Sequence, residues 1–358
     1  MKPLAIRRAL VSGLSGLLLL CAGGLAWAGG GSAGSGAKAT VSTKDYEVYR
    51  SGSAADVQPP QPASNLMVLM GGGIDVDDAF RAMIAKARGG GTAGVDAVIL
   101  RTSGADGYNP YLMAMPGVDS VESIVLKTRA GASAPAVLDL VNRADLLFIA
   151  GGDQSTYIAQ WAGTPLEAAI KAAVARRVPF GGTSAGLAVL GQFDYSGANQ
   201  SVSSAEALAN PYDRNVTLDR SFLNALPLMA GVITDAHLVA RDRMGRLVTF
   251  LARLSADGWA GWQTLRAIGV DEQTAVVVDG DIATVVGNDD GQGGRTGRAY
   301  FLKPTLAPTT VQAKKPLTFR NLQVEKRTAG GQYNLATWPT VSPYFISVEA
   351  GVLMPNPY

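Results

Sequence analysis

The chain has 358 residues, a formal net charge of +2, one cysteine and one histidine. One cysteine rules out an intrachain disulfide framework, and one histidine argues against a zinc site of the usual nitrogen and sulfur type. The near balance of charge gives no footprint for nucleic acid, and nothing in the composition calls for a metal or other cofactor.

Residues 1–28 read as a signal peptide. Lys2, Arg7 and Arg8 form a basic start, an apolar run follows from Ala9 to Leu20, and Ala26-Trp27-Ala28 is an A-x-A cleavage site. The run is too short and too broken by glycine for a good transmembrane helix. Cleavage after Ala28 predicts a secreted or periplasmic protein with no membrane attachment. The bulky leucine before Cys21 argues against a lipoprotein anchor there. Loss of the leader takes the basic residues from 31 to 28 against 29 acids, a net charge of −1. Residues 29–65 then read as a flexible Gly/Ser/Ala linker followed by an irregular lead-in.

From residue 66 strands and helices alternate. A strand at Leu66–Met70 empties into Gly71-Gly72-Gly73, and a helix is expected over 75–87 with Val76, Phe80 and Met83 on one face. A strand over 95–100, a helix over 135–141, a strand over 145–150 and helices over 155–161 and 165–177 follow. The expected fold is α/β: a three-layer sandwich with a mostly parallel central sheet, helices on both faces and added C-terminal antiparallel strands. Residues 66–290 would form the α/β domain and 291–358 a β-rich extension packed on it. Several predicted strands run straight into glycine or small residues. In open parallel sheets ligands sit outside those carboxyl ends. The Gly71 loop lacks the dinucleotide fingerprint, since Val76 stands where its last glycine belongs, and no phosphate-binding P-loop is present.

The densest signal lies in Val178 through Leu187. It reads as a buried strand, a tight turn and a helix start, and Gly182-Thr183-Ser184-Ala185-Gly186 fits G-x-S-x-G, the nucleophile elbow. The same string also suits a glycine turn with a serine N-cap, so it is unspecific alone. A catalytic Ser184 needs a base, and the only histidine, His237, follows a predicted strand over 231–234 and precedes a helix expected over 241–254. The orienting acid is open among Asp194, Glu206, Asp213, Asp235 and Asp242. Glu206 is preferred, because it sits in the loop-rich excursion 191–230 that can fold back over the elbow. Oxyanion donors are expected from Ala185 and from Gly152 or Asp153. Arg241, Arg243 and Arg246 at a helix start oppose the helix dipole, a local conflict that suggests a site for a substrate carboxylate.

Three stretches together resemble the serine peptidase family of cyanophycinases and dipeptidase E: Ala150-Gly151-Gly152-Asp153-Gln154, Gly181 through Gly186, and Asp235-Ala236-His237-Leu238 through Leu247. Gly269 through Ala275 looks like a further landmark. The resemblance implies a class I glutamine-amidotransferase-like fold, Ser184 as nucleophile, His237 as base and a glutamate matching Glu206. It further implies Gln154, Thr183, Asp235, Arg241 and Arg243 as substrate contacts, and a homodimer. Cyanophycinases release β-Asp-Arg dipeptides from the polymer cyanophycin. Where they tend to have Asp-Gln-His-Phe, this chain has Asp235-Ala236-His237-Leu238, so a hydrogen-bonding amide is missing from the pocket. The function expected is a secreted serine peptidase acting on a peptide or isopeptide with a carboxylate. Two alternatives are an exported, non-catalytic peptide-binding protein and a generic serine esterase. Activity is expected to fall as His237 protonates near its ordinary pKa of ~6.5.

Overall fold

The computed structural model describes residues 39–56 and 59–358; the expected signal peptide and most of the linker lie outside the described residues. Five parallel strands form the middle of a ten-stranded sheet, in the order Val118–Leu126, Val95–Arg101, Leu146–Ile149, Phe180–Thr183 and Leu66–Met70. The runs Leu66–Met70 and Leu146–Ile149 are buried at every position, as expected for parallel strands covered on both faces. Antiparallel strands extend this sheet past Leu66–Met70, beginning with Thr274–Asp279 and Ile282–Gly287. On the opposite flank Tyr46–Gly52 pairs residue by residue with Val118–Leu126, from Tyr46 opposite Leu126 to Gly52 opposite Ser120. The lead-in expected to be irregular therefore contributes a strand.

The strand that leads to His237 belongs to a second, eight-stranded sheet. Val232–Ala236 lies in parallel between Phe193–Tyr195 and Arg266–Val270, and antiparallel strands Arg298–Pro304, Phe319–Thr328, Tyr344–Glu349 and Val352–Met354 complete that side. Strand and helix alternation in a sequence tells that strands are parallel and covered. It does not tell which strands become neighbours, and the excursion after Gly191 carries the chain into a different sheet. The strands beyond residue 290 are stitched into the sheet that positions the histidine. The two sheets share a core: Val232, Ala236, Ile268 and Val270 pack in one buried cluster with Leu69, Leu147, Ile149 and Leu187. Thr234 Oγ1 donates to the Leu187 carbonyl across that junction (2.9 Å), which ties the elbow turn to the histidine strand.

Candidate active site

The elbow is built by close backbone approach. Phe180–Thr183 ends beside Ile149 on one side and Met70 on the other, so three strand ends converge. Ser184 follows with φ 54° and ψ −113°, a conformation costly for a non-glycine residue and held only where the surroundings over-determine it. The flanking glycines make it possible. A Cβ on Gly182 would lie 2.5 Å from the Gly186 backbone, and one on Gly186 would lie 2.3 Å from the Ile149 carbonyl. The helix expected after the serine is a single turn, Ala185–Ala188, so little macrodipole is aimed at Ser184.

Ser184 Oγ lies 2.7 Å from His237 Nε2. His237 Nδ1 lies 2.6 Å from Oε1 of Glu272, not of Glu206. Glu206 instead closes a capping box on the short helix Ser204–Ala209: its carboxylate accepts from the Ser203 amide at 2.8 Å, and Ser203 Oγ accepts from the Glu206 amide at 3.2 Å. None of the other acids considered is a hydrogen-bond partner of His237 either. Asp194 is fully buried in its strand, Asp213 accepts from the Asn215 amide, Asp235 pairs with Arg246, and Asp242 accepts from Tyr358. Glu272 comes into reach because Val232–Ala236 and Arg266–Val270 run parallel with Ala236 opposite Val270, so their carboxyl ends lie together. The sequence signal was present: an acid just past a strand end, within the Gly269–Ala275 landmark.

One loop holds the three residues in register. The carbonyls of Met70, Gly71 and Gly72 accept in turn from the amides of Ser184 (3.0 Å), His237 (2.9 Å) and Gln273 (2.9 Å), the residue next to Glu272. His237 is 3% exposed and has φ 53°. Burial, and then the charges of Arg241 and Arg243, push its imidazole down to about 3, with Asp235 opposing. It is therefore neutral at working pH, with Nε2 free to accept the serine proton while Nδ1–H is held by Glu272.

Ser184 opens onto a crevice of about 420 Å³ whose wall includes Gly152, Asp153, Gln154, Ala185, Ala236, Arg241 and Arg243. Asp153 caps its own helix by accepting from the Ser155 amide (2.9 Å), and Gln154 Nε2 donates to the Tyr195 carbonyl (3.1 Å). Thr183 is not in that wall. It is the last strand residue and fully buried, its side chain turned with Tyr108 towards Asp75, so its expected substrate contact is withdrawn. Asp235 lines the crevice with both oxygens already bonded to Arg246, at 2.7 and 2.6 Å, in a buried bidentate pair. The helix after this loop begins at Met244 rather than at Arg241. Arg241 thus sits on the loop ahead of the helix, while Arg243 is its N-cap and Arg246 lies in its first turn. Arg243 donates to the Ala236 carbonyl at 3.0 Å, and burial followed by Arg246 pushes it down to about 10, still cationic at neutral pH. Arg246 holds Asp235 closely, whereas Arg241 and Arg243 make only long contacts with carboxylates, at 3.7 Å to Glu272 and 3.9 Å to Asp235, so an anion in the crevice would meet these two most readily.

A family model for peptidase family S51 matches residues 117–286, a window that holds Ser184, His237 and Glu272. The cyanophycinase of Trichormus variabilis is 26% identical over 225 residues, covering 61% of this chain and 66% of that protein. The cyanophycinase of Geminocystis herdmanii is 29% identical over 206 residues, covering 56% and 65%. The match thus spans just under two thirds of the length of these relatives. A crystal structure of a peptidase from an acI-B1 Actinobacterium aligns with a TM-score of 0.46 and 17% identity, covering 76% of this chain and 97% of that one. Over residues 117–286 the chain is thus similar to peptidase family S51, and the curated relatives it resembles are cyanophycinases.

Proposed function

We propose that this protein is an exported serine peptidase that cleaves a peptide or isopeptide bond next to a free carboxylate. One observation carries the reading: the continuous relay Ser184–His237–Glu272, with contacts of 2.7 and 2.6 Å, opening onto a crevice lined by three arginines. His237 Nε2 takes the proton of Ser184 Oγ as the oxygen attacks the scissile carbonyl carbon. The oxyanion is received by the amide of Ala185 and that of Gly152 or Asp153. His237 then gives its proton to the departing amine, and water enters by the same route in reverse to release the acyl group. Glu272 keeps the imidazole in the tautomer that can accept at Nε2. Arg243 and Arg241 bind the substrate carboxylate. Relatives named cyanophycinases make β-Asp-Arg units the first substrates to try. The same relay weighs against a purely binding role for this fold.

The test is a digestion panel of cyanophycin, β-Asp-Arg, other isoaspartyl peptides, α-peptides and short neutral esters, with Ser184→Ala as control. Cleavage of at least one carboxylate-bearing peptide, lost in Ser184→Ala with thermal stability kept, is expected. Equal activity in Ser184→Ala would remove the nucleophile. Ester cleavage alone would favour the esterase reading, and binding of a peptide without product would favour the binder.

A further inference from the structure

Tyr358 lies 121 positions from His237 in the sequence and outside the S51 match, yet its hydroxyl reaches the loop that follows the histidine. Tyr358 Oη accepts from the Met244 amide at 3.0 Å and donates to Asp242 Oδ1 at 2.9 Å, with the Leu238 carbonyl 3.2 Å away. Met244 opens the helix Met244–Ala256, so its amide is one of the four N–H groups that a helix leaves without internal partners. Arg243, in the N-cap position, supplies no side-chain acceptor. The tyrosine hydroxyl takes that place from another part of the chain.

The loop from His237 to Arg243 needs such support. His237 and Asp242 both have left-handed backbones without being glycine, with φ 53° and 47°. Two of the crevice arginines ride on it: Arg241, whose Nε lies 3.7 Å from Glu272 Oε1, and Arg243, whose guanidinium lies 3.9 Å from Asp235 Oδ1. The tyrosine is itself held in place: Tyr344 Oη donates to the Pro357 carbonyl at 2.5 Å, the Tyr358 amide donates to Asn356 Oδ1 at 3.1 Å, and the Tyr358 ring meets the buried Tyr300 edge-on at 6.1 Å. Burial and the neighbouring Asp242 carboxylate keep the phenol protonated, so it can both donate and accept.

We infer that Tyr358 is a positioning residue that locks the 238–244 loop, and through it sets the places of Arg241 and Arg243 for the substrate carboxylate. The kinetic half of this inference rests on the peptidase reading; the conformational half does not. Tyr358→Phe removes one oxygen and keeps the ring packing, so the fold should persist. Amide hydrogen exchange is expected to accelerate several-fold across 238–244 and to stay unchanged in the strand Val232–Ala236. If the wild-type protein cleaves a carboxylate-bearing peptide, Tyr358→Phe should raise KM several-fold and leave kcat within about twofold. A double-mutant cycle of Tyr358→Phe with Asp242→Ala should show the two changes to be non-additive. Unchanged exchange in 238–244 would overturn the inference, whatever the enzyme cleaves. So would faster exchange without any change in KM in an active enzyme. If the wild type cleaves nothing on the panel, the peptidase reading fails, while hydrogen exchange still decides whether Tyr358 locks the loop.

Discussion

Gly72 lies against the imidazole of His237. A Cβ built on Gly72 would stand 2.4 Å from His237 Cε1 and 2.6 Å from Nε2, and the φ of +98° is one that side-chain-bearing residues rarely adopt. The carbonyls of Met70, Gly71 and Gly72 itself hold the Ser184, His237 and Gln273 segments, so the loop cannot yield without moving the whole relay. Gly72→Ala is therefore expected to lower kcat/KM at least ~100-fold, on the grounds that small misplacements of reacting groups cost about that much. Circular dichroism should remain native. Full activity in Gly72→Ala would show that the imidazole does not need its observed place.

Glu272 and Glu206 offer a direct contrast between an orienting acid and a helix cap. Glu272→Gln keeps the shape and removes the charge facing Nδ1, and kcat is expected to fall roughly 10²–10⁴-fold, the range of the analogous change in serine triads and of lost acid–base catalysis. Glu206→Ala opens the capping box and is expected to cost about 1 kcal/mol of stability with kcat unchanged. Steady-state kinetics and thermal melts of the two variants separate the roles. A collapse of kcat in Glu206→Ala would overturn the placement of the acid.

The electrostatic setting of His237 moves the expected pH profile. A base works when neutral, so activity is full above its pKa and is lost as pH falls through it. Burial and the arginines push His237 down to about 3, well below the ordinary value assumed from sequence. The acid limb of kcat/KM should therefore lie far below ~6.5, leaving the rate flat between about pH 5 and 8. Arg241→Ala removes one of the two leading charge contributions and should move that limb upward. A limb that stays near 6.5 in the wild type, unmoved by Arg241→Ala, would mean that the imidazole is not desolvated as described.

Asp75 and Asp194 sit in the core with both side-chain oxygens lacking hydrogen-bond partners. Burial pushes each up to about 7. Their folded-state values lie above the unfolded value of ~3.9, so the folded state holds extra protons between roughly pH 4 and 7. Their contribution is present at the acid end and is lost as pH rises through 7. Asp75→Asn, neutral at every pH, is expected to raise stability at pH 8 by roughly 1–3 kcal/mol relative to its effect at pH 5. Thermal melts at the two pH values would test this, and an equal shift at both would show that Asp75 does not titrate in this window.

How much of the site could be read from the chain depends on how local each requirement is. The apolar runs ending in small residues, the glycines bracketing Ser184 and the single histidine after a strand end are short-range patterns. They follow from steric rules of turns and from burial of parallel strands, so Ser184 and His237 could be named before any coordinates. The Ser203–Glu206 spacing was local too, and it encoded a helix cap rather than a catalytic acid. Glu272 depended on which strands pair: parallel register between Val232–Ala236 and Arg266–Val270 brings together residues 35 positions apart, and no local propensity records that pairing. The inward turn of Thr183, the division into two sheets and the reach of Tyr358 to Asp242 are of the same kind. They are settled by packing over long separations, where the gain in buried area and satisfied polar groups is summed over the whole fold.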